Sequence, residues 1–155
     1  MISRTLARVT GAVTATALLG SLASRDASSA WYRALSKPAF QPPAAVFPVV
    51  WTGLYATIAG AATATLEHAD PEEARRYRRA LAANLALNAS WSWVFFRAHR
   101  IGPAVGVAAA LAASSTDLAL HSGRIHRPAG WALAPYAAWC GFATVLNAAI
   151  WRRNA

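Results

Sequence analysis

Three sets of residues in this 155-residue chain share a spacing that could build one site. Trp51 and Tyr55 are four apart, which puts both on one face of a helix. Asn84, Asn88, Trp91 and Phe95 follow at steps of four, three and four, again along one face. Trp139, Ala143 and Asn147 make a third stripe. If the stripes converge, they enclose a cavity with flat aromatic walls, amide groups and indole N–H donors. Such a site suits a large, flat, mostly apolar ligand with a few polar edges. The same pattern also fits aromatic core packing with asparagines bonding between helices, and periodicity leaves both readings open. Conventional catalysis has no motif here: there is no glycine-rich phosphate loop, no nucleophile elbow and no pair of spaced carboxylates. Ser90 and Ser92 have no histidine partner nearby in sequence. Cys140 is the only cysteine, so no intramolecular disulfide forms, and it reads as a small buried apolar residue. His68, His99, His121 and His126 lie in or near loops without metal-ligand spacing. No metal site and no obligatory cofactor are expected.

Composition indicates which elements must carry these stripes. Hydrophobic residues make up 56% of the chain and charged residues 14%, against roughly 25% charged in an ordinary soluble domain. Disorder is excluded by the apolar content. The net charge of +9 fits either a nucleic-acid binder or a membrane protein edged with arginine, and position decides between them. The basic residues fall in tight clusters, such as Arg75, Arg76, Arg78 and Arg79, or Arg152 and Arg153, rather than along one face. Between the clusters lie five long apolar runs, and a bilayer span needs about 20 mostly apolar residues. The expectation is an all-α integral membrane bundle of five transmembrane helices, spanning about 7–24, 46–66, 77–96, 101–121 and 129–151. It forms a single domain over 1–155, with the lipid bilayer and no nucleic acid as partner.

Several segments need separate readings. Basic residues, an apolar stretch and Ala27-Ser28-Ser29-Ala30 resemble a cleavable signal. Thr10, Thr14 and Thr16 favour a retained, packed helix instead. Residues 25–45 form a long loop whose second half cannot be regular helix because of Pro38, Pro42 and Pro43. Its Trp31, Tyr32 and Phe40 suit a lid or an interfacial aromatic belt. The third helix begins at Pro71, with Asp70 and Glu73 spaced as a capping box. It is expected to run to Phe96, with an arginine collar outside the hydrocarbon and Glu72 paired to Arg76. Gly102 and Gly106 in the fourth helix permit close helix contact, as do Ala82 and Ala86 in the third. Asp117 is the one acid deep in an apolar run and is a candidate for function or transport by that fact. It lies near the end of the run, however, so a headgroup-level or helix-facing structural role fits at least as well. The basic residues split eight to seven between the two ends, so they do not orient the chain.

Longer motifs carry a resemblance. Pro42-Pro43-x-x-Val46-Phe47-Pro48-Val49-Val50-Trp51-Thr52-x-Leu54-Tyr55 resembles the second-helix signature of the TspO/MBR family, the tryptophan-rich sensory and translocator proteins. Trp31-Tyr32-x-x-Leu35-x-Lys37-Pro38 is similar to its first loop, and Asn88-x-x-Trp91-Ser92-x-x-Phe95-Phe96 to its third helix. Pro135-Tyr136-x-x-Trp139-x-x-Phe142-Ala143-x-x-Leu146-Asn147-x-x-Ile150-Trp151-Arg152 is similar to its fifth. The resemblance implies a five-helix membrane protein, a homodimer, in a bacterial cell membrane. It also implies binding of porphyrins such as protoporphyrin IX, and of benzodiazepine-type ligands, in a pocket under the first loop. By position it implies Trp51, Asn88, Trp139 and Ala143 as pocket residues and Tyr32, Pro42, Tyr55 and Trp91 as walls and lid. Asn147 from the third stripe and Trp31 from the loop complete the candidate ligand-binding set.

Three functions follow as expectations: a porphyrin-binding sensor, a light-dependent oxidative degrader of protoporphyrin IX using Trp51 and Trp139, or a transporter. The sterol motif of mammalian relatives needs a tyrosine where this chain has Ala148, between Leu146 and Arg152. Cholesterol recognition at 146–152 is therefore expected to be weak or absent.

Overall fold

The computed structural model describes residues 3–155. Every regular element among them is helical: α1 (Arg4–Ser24), a 3-10 turn (Arg25–Ser28), α2 (Ala30–Ala34), α3 (Val46–His68), α4 (Pro71–Ser92), α5 (Ile101–Ile125) and α6 (Arg127–Asn154). The five long helices alternate in direction and close into a ring. Its order in space is α1, α3, α6, α5, α4, so α3 and α4 scarcely meet although Ala69 and Asp70 alone join them.

Local chemistry sets the boundaries. Ser3 caps α1, its hydroxyl accepting from the Leu6 amide at 3.0 Å. Asp70 accepts from the Glu72 and Glu73 amides, and the Glu73 carboxylate takes the Asp70 amide, completing the expected capping box at α4. Glu72 pairs with Arg76 one turn on. Ser29 caps α2, so the first half of the long loop is partly helical. From Leu35 to Ala45 the chain is irregular, as its three prolines require. The third helix departs from expectation near its end. Regular α geometry stops at Ser92 and a wider π turn covers Trp93–Arg97, marked by the Ala98 amide bonding to the Trp93 carbonyl at 2.8 Å. Such turns occur often at functional sites.

Four helices are long and apolar enough to cross a bilayer: α1 with the turn that follows it, α3, α5 and α6. The six charged residues in the first nine of α4 keep that helix below the same standard. The core between the helices is filled by Ile58, Tyr77, Leu118, Leu133 and Tyr136, all fully buried. The closest seam joins α5 to α6. A Cβ on Gly130 would lie 2.5 Å from the Gly123 Cα and 2.9 Å from the Ala119 carbonyl oxygen, so the two backbones are in direct contact. This seam differs from the Gly102/Gly106 pair expected from spacing: Gly102 meets the Trp151 ring, while Gly106 faces open space. Ala82 and Ala86 are exposed.

Candidate functional site

The three stripes converge. Trp51 and Tyr55 on α3, Asn88 and Trp91 on α4, and Trp139, Ala143 and Asn147 on α6 all line one cavity of about 390 Å³. That volume lies within the ~300–1,000 Å³ typical of small-molecule sites. The cavity occupies the end of the bundle where α1, α4 and α6 finish and α3 and α5 begin. The segment 25–45 roofs it, contributing Ala27, Tyr32, Gln41 and Ala44.

Aromatic rings brace one another around the space. Trp51 lies 5.5 Å from Tyr55, and Phe47 meets Trp139 edge-on at 5.9 Å. Trp91 stacks on Phe95 at 5.3 Å and 17°. The π turn brings the adjacent Phe95 and Phe96 both to the cavity wall. Amides then lock the walls together. The Trp91 indole donates to Asn147 Oδ1 at 2.9 Å, and the Asn147 amide donates to the Ile101 carbonyl at 3.2 Å. A buried polar chain continues beneath the cavity. The Tyr55 hydroxyl donates to Asn88 Oδ1 at 2.8 Å, and Asn88 Nδ2 donates to the Tyr136 oxygen at 3.0 Å. The Tyr136 hydroxyl donates to Asn84 Oδ1 at 2.8 Å, and Asn84 Nδ2 reaches the Ser115 hydroxyl at 3.0 Å. The asparagines therefore serve both readings left open by their periodicity. Asn84 is interhelical glue, while Asn88 and Asn147 also face the cavity.

Two polar atoms among those described are buried without a partner: Trp139 Nε1 and Gln41 Oε1. Both residues line the cavity. A donor and an acceptor with no protein partner on the wall of one cavity favour an occupant that bonds to them, since burial without such bonds costs about 1–3 kcal/mol each. No described lining residue is charged.

The roof is fastened at three places. Trp31 stacks on His99 at 4.0 Å, with His99 held at a φ of 56° in the α4–α5 turn. Asp26 accepts from Arg97 at 3.2 Å. Asn154 near the end of α6 accepts from the Ser36 amide and donates to the Ser36 carbonyl, both at 2.9 Å. Lys37 donates to the Tyr32 carbonyl at 2.6 Å and lies over the Tyr32 ring. Burial raises the Tyr32 phenol above its ordinary value near 10, partly offset by its bond to Gln41.

Two expected site residues stand elsewhere. Trp31 packs against Phe95 and His99, and Pro42 is half-buried in the roof; neither lines the cavity. Both shape or fasten the roof instead. Asp117 is exposed on the outer face of α5 rather than turned into the bundle, so the geometry removes it as an interior coupling group. The face of α1 formed by Ala17, Gly20, Ser21 and Ser24 was not foreseen, nor were Gln41 and Phe47.

Comparison with known proteins agrees with this geometry. The model of the TspO/MBR family matches residues 9–152. The chain belongs to the TspO/MBR family. Its relatives in that family include protein CrtK of Rhodobacter capsulatus, 30% identical over 90% of this chain and 88% of the relative. The translocator protein of Bos taurus is 31% identical over 88% of this chain and 82% of its own length. The tryptophan-rich sensory protein of Cereibacter sphaeroides is 34% identical over 80% and 77%. With its several long apolar helices, this TspO/MBR protein is a multi-pass membrane protein.

Proposed function

We propose that this TspO/MBR protein is a membrane receptor that binds a tetrapyrrole such as protoporphyrin IX in the roofed cavity and senses or buffers it. In this reading all five long helices cross the bilayer, α4 through its apolar half beyond Arg79. The observation that carries the proposal is the unpartnered Trp139 indole N–H beside Trp51, Trp91 and Asn88 in one uncharged, aromatic-walled space. A porphyrin offers flat faces for the indoles and polar edges for the amides. Its carboxylates would sit at the mouth, because no lysine or arginine lines the interior to neutralise them. Flat benzodiazepine-type molecules fit the same description without the charge.

The test is titration of purified protein with protoporphyrin IX while tryptophan fluorescence is followed. Quenching should saturate, and affinity should fall in Trp51→Phe with Trp139→Phe. Unsaturable quenching, or quenching unchanged in the double variant, would refute the site.

Light-dependent oxidation of bound porphyrin by dioxygen is a second reading. Its support is that two indoles, Trp51 and Trp139, both face the cavity and would flank a bound ring. A new absorbing product should form only under light and in air. Its rate should collapse in either single Trp→Phe variant while binding persists. An equal rate with heat-denatured protein would reduce the effect to photobleaching.

A further inference from the structure

At the opposite end of the bundle from the roofed cavity, a second hollow of about 230 Å³ lies between the first half of α1 and the first half of α4. Its wall is apolar and buried where Val9, Leu81 and Leu85 line it. Arg8 and Arg78 also line it, one from each helix. We propose that this groove binds an anionic phospholipid, with the phosphodiester between Arg8 and Arg78 and an acyl chain along the apolar wall.

Charge supports that occupant. Among the described residues the ion pairs are Arg76 with Glu72 and Arg97 with Asp26, so neither Arg8 nor Arg78 has an acidic partner. The other acids at this end are engaged. Asp70 and Glu73 close the capping box of α4, and the Glu67 carboxylate accepts from the Ser3 hydroxyl at 2.7 Å. The first turn of α1 contains no acid, so nothing within that turn offsets the positive end of the helix beside the groove. Two uncompensated guanidiniums above an apolar slot match an amphipathic anion at a membrane face. Free phosphate would satisfy the arginines and leave the slot empty.

The test uses the whole protein in a neutral detergent. Palmitoyl-oleoyl phosphatidylglycerol, the zwitterionic phosphatidylcholine with the same chains, and glycerol phosphate are titrated separately, and bound lipid is counted by native mass spectrometry. Phosphatidylglycerol should be retained, and phosphatidylcholine and glycerol phosphate should not. Arg8→Gln with Arg78→Gln should weaken retention about 30-fold, from roughly five-fold per arginine near a membrane surface. Arg75→Gln with Arg79→Gln removes the same charge outside the groove and should change retention less than about three-fold. Ala12→Trp fills the slot without touching charge and should abolish retention; helix content by circular dichroism confirms that each variant is folded. Equal loss in the two arginine pairs would overturn the site in favour of diffuse attraction. Equal binding of phosphatidylcholine or of glycerol phosphate would overturn the lipid assignment. These outcomes are independent of porphyrin quenching in the other cavity.

Discussion

Removing a single hydroxyl should cost very different amounts at Tyr136 and at Tyr55, although both belong to one polar chain. Tyr136→Phe deletes two bonds, the one donated to Asn84 at 2.8 Å and the one accepted from Asn88 at 3.0 Å. Asn84 and Tyr136 are both fully buried, so no water can replace the lost donor at Asn84 Oδ1. Hydrogen bonds between membrane helices average ~0.6 kcal/mol and reach ~1.7. Two bonds with one stranded acceptor therefore place Tyr136→Phe at about 1–3 kcal/mol. Tyr55→Phe deletes one bond, and the acceptor it frees, Asn88 Oδ1, belongs to a residue that faces the cavity. Its cost should stay at or below ~0.6 kcal/mol. Reversible unfolding in mixed micelles, titrated with dodecyl sulfate and followed by circular dichroism, measures both values. Thiol trapping at Cys140, the only cysteine and a buried one, gives a second readout. The double variant Tyr136→Phe with Asn84→Ala should be less costly than the sum of its singles. If Tyr55→Phe costs as much as Tyr136→Phe, or Tyr136→Phe unfolds like the parent, burial of the chain does not set its energetics and the reasoning fails.

Two further outcomes are expected. Gly130→Ala should destabilise by about 1–3 kcal/mol, because the atoms its Cβ meets are backbone and cannot rotate away, whereas Gly123→Ala has 3.7 Å of room and should be nearly silent in the same unfolding assay. Asn154→Ala severs both bonds to Ser36 and should speed porphyrin release about five- to ten-fold in stopped-flow, from roughly 1 kcal/mol of lost roof attachment, with little change in global unfolding.

Legibility of the site in the sequence followed the physics of each residue type. Trp51, Asn88 and Trp139 could be found because large or polar side chains at helical spacing announce a face, and that face turned out to border the cavity. The capping box of α4 was equally plain, since Asp70-Pro71-x-Glu73 is a local rule that needs no tertiary information. Ala17, Gly20 and Ser21 gave no signal, because a small residue makes room by what it lacks. Gln41 and Phe47 were missed because the stretch around Pro42 and Pro43 has no period to read. The Gly123–Gly130 seam lies astride a turn, so no fixed spacing along a single helix marks it. Asp117 left two readings open for the opposite reason. A lone acid in an apolar run suggests a buried role, yet the α5 face that carries it is the one no neighbouring helix covers.

The polar chain beneath the cavity has a consequence for traffic. Below Tyr55 and Asn88 the next layer is Ile58, Asn84, Ser115 and Tyr136, each fully buried and none lining the cavity. The space is therefore closed on the side facing the middle of the bundle. A molecule that leaves on the far side must first part Tyr136 from Asn84 and Asn88 and Asn84 from Ser115. Breaking three such bonds costs about 2–5 kcal/mol at membrane strengths, before any helix moves. A guest of this cavity would thus exchange at the roofed end of the bundle rather than through its middle.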